Sequence, residues 1–283
     1  MLASNRFAAE CMITPTTVSH RSGDPQTRQI IDALTALCKD GKALRILDVG
    51  AGKGKLASEL AETLKKNSKV IDYIAFDTDP KDSEECRAAI SLLHGDSSDR
   101  YFNQWSSLRA IYDEGSFHVV VMCNVLHEIP PSEWAGLFGP SGNVCKMLKN
   151  DGYLLLVEVQ QLPYGEQAHE YGFLVFDTPQ IRKLFNISEA DTSGLKIDSR
   201  ADNWLKGHLV AKTLLEKFNH DLLQDALKDL ESTARENIMK LKNICHIQEW
   251  LLHLRKRDGN LQKNSKQDLK TILWQLCLKT GLN

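Results

Sequence analysis

At 283 residues, 42% of them hydrophobic, the chain is long enough to bury one full core and carry an appendage. A formal net charge of -2 gives no global cationic field, which disfavours RNA and anionic membranes as partners, and no apolar run reaches the roughly 20 residues of a membrane span. Seven dispersed cysteines, an odd number without C-x-x-C spacing, imply a reducing compartment and no metal site; with no basic-then-apolar leader at the start, the expectation is a cytoplasmic protein.

Residues 1–25 read as irregular, with Ser22-Gly23-Asp24-Pro25 as a turn that opens a helix carrying Ile30, Ile31, Leu34 and Leu37. Leu44 to Val49 is apolar apart from Arg45 and Asp48, as a strand buried on both faces should be. Gly50, Gly52 and Gly54 follow at alternate positions, and Leu56, Leu60 and Leu64 then repeat at helical spacing. A second strand from Ile71 to Phe76 ends in Asp77-Thr78-Asp79-Pro80. A closing hairpin is also expected from Leu195 to Ile197 and Gly207 to Thr213. This alternation predicts a doubly wound α/β domain over 26–216 with a mostly parallel sheet. Residues 217–283 change texture. They read as a helical C-terminal extension, amphipathic helices followed by a last one from roughly Ser265 to Lys279, with 12 Lys+Arg against 8 Asp+Glu, and the apolar stripe through Leu241, Ile244, Trp250, Leu251 and Leu254 must bury against the core or a protein partner.

The strand, glycine turn and helix around Gly50 form a nucleotide-binding arrangement, because glycines let the backbone swing sharply and let a ligand approach the bare main chain. The spacing is G-x-G-x-G rather than G-x-G-x-x-G, and Asp48 precedes it. A carboxylate there would repel a diphosphate and attract, directly or through water, a cationic group such as an amino-acid ammonium. Asp77 lies 23 positions after Gly54, where an acid can bind ribose hydroxyls. The same residues also fit blander roles: a ligand-free turn at Asp48, a helix cap at Asp77 to Pro80, and a loop acid at Asp96 capping Ser97 or Ser98.

Taken as a set, these motifs resemble the class I S-adenosylmethionine-dependent methyltransferases. The resemblance covers roughly residues 26–216 and implies a seven-stranded sheet with S-adenosylmethionine as cofactor. It implies that Asp48, Gly50, Gly52 and Gly54 hold the methionine end and Asp77 the ribose diol. Gly95-Asp96 resembles the family's Gly-Asp pair whose acid meets the adenine amino group. Phe117 to Asn124 resembles the fourth strand and its turn, which adds Asn124 to the cofactor set. Lys149-Asn150-Asp151-Gly152-Tyr153 followed by Leu154 to Val159 resembles the entry to the fifth strand, with Tyr153 in place of the usual second glycine, and Asp177-Thr178-Pro179-Gln180-Ile181 resembles the family's Thr-Pro-x-x-Leu helix start ahead of the sixth strand.

The acceptor chemistry is expected at Asn124 to Pro131, just past the fourth strand, where α/β sheets open their crevice. His127 titrates near neutrality and suits removal of a hydroxyl proton; Glu128 or Glu158 could orient it or bind substrate. The turn lacks Asn-Pro-Pro-Tyr and Asp-Pro-Pro-Tyr, and the chain has no Pro-Cys nucleophile, which disfavours base-methylating enzymes. The polar, aromatic stretch from Glu158 to Tyr171 is expected to roof the pocket. Two functions remain: a methyltransferase acting on a hydroxyl, amine or carboxylate of a small molecule, protein or RNA, and a degenerate methyltransferase-fold subunit that docks through its helical tail.

Overall fold

The computed structural model describes residues 24–38, 42–64, 70–160, 174–201 and 204–257. Most of the N-terminal segment, most of the expected roof and the last expected helix lie outside them. The chain divides into two compact units, 1–227 and 228–283.

In the first unit, Asp24 caps helix α1 (Pro25–Leu37), its carboxylate accepting the Thr27 amide at 3.1 Å with Pro25 in the first turn. Strand β1 (Leu44–Val49) runs into the glycine turn and helix α2 (Lys55–Leu64). Next come β2 (Ile71–Phe76), α3 (Ser83–His94), the two-residue β3 (Tyr101–Phe102) and α4 (Trp105–Ile111). Strand β4 (Phe117–Cys123), the short helices α5 (Trp134–Leu137) and α6 (Asn143–Met147), and β5 (Leu148–Val159) complete the parallel part. Helix α7 (Thr178–Leu184) starts at the expected Thr178-Pro179, with Asp177 and Gln180 forming a reciprocal capping box. The hairpin β6 (Leu195–Arg200) and β7 (Leu205–Ala211) closes the sheet.

The seven strands lie in the order 3-2-1-4-5-7-6; all pairings from β3 to β5 are parallel, and β7 pairs antiparallel with both β5 and β6. The mostly parallel, doubly wound sheet expected from the sequence is the one found. Ile46 and Leu47, neighbours that point to opposite faces, are both fully buried, as a sheet covered on both sides requires. Strand order reverses between β2-β1 and β1-β4, and a crevice opens there at the carboxyl ends.

Helix α8 (Lys212–Leu215) leads into a single long helix, α9 (His220–Arg257), where the sequence suggested several. Leu223 and Ala226 are buried within the first unit, together with Phe218, whose ring meets those of Phe138 and Phe185. In the second unit the described residues, 228–257, are helical. No described helix is long and apolar enough to cross a membrane.

Candidate active site

A cleft of about 850 Å³ occupies the crevice, walled by the turns that follow β1, β2 and β4. Its first wall is the glycine turn. Gly50 has φ 77°, and a Cβ there would lie 2.2 Å from Val125 Cγ2, so only glycine lets the β1 turn pack against the β4 turn. A Cβ on Gly52, by contrast, would meet nothing within 4 Å: this glycine lines open cleft, leaving its backbone bare toward a ligand. The turn is braced from β2, since Asp77 accepts the Gly52 amide at 2.7 Å on one oxygen and the Asp79 amide at 2.9 Å on the other. Each Asp77 oxygen keeps a further acceptor site, and the residue lines the cleft. Asp79 performs the capping expected of this stretch, accepting the Lys81 amide at 3.0 Å ahead of Pro80–Asp82.

Asp48 lies beneath the turn, not on the wall, at 4% exposure. It accepts the Tyr73 hydroxyl at 2.7 Å. Burial pushes its pKa up to about 6, against the Tyr73 bond, which lowers it, and with help from the nearby Asp77 charge. A carboxylate so destabilised gains from any cation placed above it.

The β4 turn is fastened to the end of β5. Asn124, held in the left-handed region at φ 54°, donates its amide to Val157 O at 2.9 Å and accepts the Val159 amide on its side-chain oxygen at 3.0 Å. Glu158, 3% exposed, accepts the Leu126 amide on one carboxylate oxygen at 3.2 Å and contacts His127 Nδ1 with the other at 2.8 Å. His127 itself is 5% exposed and is not among the described residues that line the cleft. Its neighbour Glu128 is.

Asp96 is the sequence assignment the structure corrects. Gly95 is the left-handed cap that ends α3, φ 82°, and Asp96 follows in the link back to β3, at the amino end of a strand parallel to β2. That is the sheet edge opposite the cleft. Asp96 is exposed there and caps Ser98, whose amide it accepts at 3.1 Å. The position past β3 belongs to Trp105, which lines the cleft and stacks on Phe76 with ring centroids 4.1 Å apart and planes 23° from parallel. Sequence reading missed Trp105, as it missed Asp82 and Glu133 on the same walls. The one available signal was the aromatic run Tyr101-Phe102 just ahead of Trp105, too short to show periodicity.

The residues present fit S-adenosylmethionine: an open glycine cradle, a half-free acid at the end of β2, an aromatic stack past β3, and a lining with acids and no lysine or arginine among its described residues. A family model described as a methyltransferase domain matches residues 20–192. No curated protein matches the chain. Among solved structures, the chain is similar to the CMeT domain of citrinin polyketide synthase, at 18% identity over 62% of this chain and 48% of that one, TM-score 0.45. It is also similar to phosphoethanolamine N-methyltransferase 1 of Haemonchus contortus, at 17% identity over 85% of this chain and 55% of that one, TM-score 0.46. A third is a SAM-dependent methyltransferase of Aquifex aeolicus, at 13% identity over 66% of this chain and 93% of that one, TM-score 0.41. The chain spans about half the length of the polyketide synthase domain. Matched by the domain model over more than half its residues, on a sheet and glycine turn of the expected order, the chain belongs to the methyltransferase-domain family within the class I S-adenosylmethionine-dependent superfamily.

Proposed function

We propose that this chain transfers a methyl group from S-adenosylmethionine to an acceptor bound in the same cleft. The observation that carries the reading is the brace between Asp77 and Gly52: a bare glycine turn held open on the cleft by an acid that still has acceptor capacity facing it. The glycine turn would take the methionine end with Asp48 beneath as counter-charge, Asp77 the ribose diol, and Phe76 with Trp105 the adenine side. When bound, this cofactor supplies a methyl carbon made electrophilic by its sulfonium. The protein has then to align the acceptor and keep the walls fixed. Asn124 and Glu158 do the second, since together with the main chain they pin the β4 turn at four points to β5. In this reading His127 positions Leu126 to Glu128, and Glu128 meets the bound molecules.

Calorimetric titration with S-adenosylmethionine and S-adenosylhomocysteine, followed by transfer of a labelled methyl group into cell extract, tests the proposal. Asp77→Ala should weaken the cofactor by about 1 to 3 kcal/mol through lost charge-assisted hydrogen bonds, and Asp77→Asn by less. Equal affinities in all three proteins would remove Asp77 from the site. Binding without transfer to any acceptor would favour a subunit that keeps the fold without the reaction.

A further inference from the structure

We propose that the acceptor is a cationic amine, methylated on nitrogen; this rests on the methyltransferase reading above and names the substrate class of the same cleft. The cleft is lined by five carboxylates, Asp77, Asp79 and Asp82 after β2 and Glu128 and Glu133 after β4, with no lysine or arginine among the described lining residues. Of the described cations nearby, Lys53 lies 3.0 Å from Glu85 and Lys55 3.2 Å from Asp24; Lys81, between Asp79 and Asp82, and Arg109, which donates to Asn143 of the lining, offset part of the charge. S-adenosylmethionine carries a sulfonium, an ammonium and one carboxylate, hence one net positive charge, which leaves the described lining negative on balance.

In a partly desolvated cleft that residual field opposes a carboxylate, a phosphate or a polynucleotide, and concentrates cations. A hydroxyl gains nothing from it. An ammonium is drawn in, yet it must lose a proton before it can react. Glu128 or Glu133 accepts that proton; the freed nitrogen pair forms the N–C bond as the C–S bond breaks and its electrons stay on sulfur. The product leaves as an N-methylammonium, and the carboxylic acid returns its proton to water.

The test uses the full chain saturated with S-adenosylhomocysteine and titrated with putrescine, butanediol and succinate, three four-carbon probes that differ in their end groups. Putrescine is expected to bind at least about tenfold more tightly than butanediol, with succinate weakest, and to lose about tenfold between roughly 20 mM and 200 mM salt. Glu133→Gln should lower putrescine affinity about three- to tenfold without changing affinity for S-adenosylhomocysteine. Succinate or butanediol binding as well as putrescine, or no binding of putrescine, overturns the amine acceptor. Failure of S-adenosylhomocysteine itself to bind would overturn the methyltransferase reading instead. In cell extract, label should collect on base-stable cations; label on base-labile esters or on RNA would refute the proposal.

Discussion

Asp48 shows how one buried carboxyl joins folding to ligand binding. Its folded pKa of about 6 lies above the ordinary carboxylate value of 3.8, so the folded state holds a proton that the unfolded chain has released between these values. The stability this proton confers is complete below about pH 3.8 and is lost as pH rises through 6, at up to roughly 3 kcal/mol by linkage. Asp48→Asn should therefore be more stable than wild type at neutral pH and lose that advantage near pH 4, measured by urea unfolding across pH. A cation bound above the turn favours the ionised form. Cofactor binding should then release protons between about pH 5 and 7, visible as a buffer-dependent enthalpy, and the release should vanish in Asp48→Asn.

His127 is not among the described residues that line the cleft. If it holds the β4 turn through Glu158, His127→Asn and Glu158→Gln should lower the rate together, and the double variant should be little worse than either single one. The pH profile should keep its shape. A rate loss of about 100- to 10,000-fold in His127→Asn, with one limb of the profile gone and Glu158→Gln near wild type, would mark a general base instead.

At the scale of elements, strands and helices with enough residues to show a period were legible. Leu44–Val49 and Ile71–Phe76 fall where the apolar runs lie, and Thr178-Pro179 opens a helix because an acid cap and a first-turn proline act locally. Tyr101–Phe102 was not readable, since two residues show no alternation and their strand character comes from pairing with Ala75 and Phe76. Helix α1 gives an element-level prediction. Burial pushes the Asp24 carboxyl up, but the Thr27 bonds and Lys55 outweigh it and hold its pKa below the usual value. A lowered acid contributes stability that is present above the unfolded pKa and lost as pH falls through the folded one. Asp24→Ala should cost about 1 kcal/mol at neutral pH, shrinking toward zero in acid, read from denaturant midpoints.

For the whole molecule, acid stability is set by opposed groups on different strands. His208 on β7 is 1% exposed, contacts Thr178 Oγ1 at 2.8 Å, and has its pKa lowered by burial to about 4, helped down by Lys206 and Arg182 and resisted by Asp177. Between the ordinary imidazole value of 6.5 and about 4 the unfolded chain binds a proton the folded one refuses, so stability falls with pH through this window. Asp48 changes in the other sense over much of the same range. Wild type should lose less stability from pH 6.5 to 4 than Asp48→Asn does, and His208→Asn should lose less than wild type. Chain ends offer a second check. Truncation after 216 removes Phe218, Leu223 and Ala226 and should cost several kcal/mol, whereas truncation after 227 should keep affinity for S-adenosylmethionine within about twofold.

The sequence by itself determined the sheet class, the glycine turn with its acid at 48, and the acid ending β2, because turn stereochemistry and apolar period act over a few consecutive residues. It gave Asp96 a role that strand direction excludes: a residue between α3 and β3 sits at the amino edge, and no local window shows which edge a link occupies. Only the tertiary structure decided that Trp105 meets Phe76, that His127 turns to Glu158 31 residues away, and that carboxylates from the β2 and β4 turns share one cleft. Those meetings are fixed by register and packing between segments far apart in the chain, where charge and burial become properties of a wall and no longer of a residue.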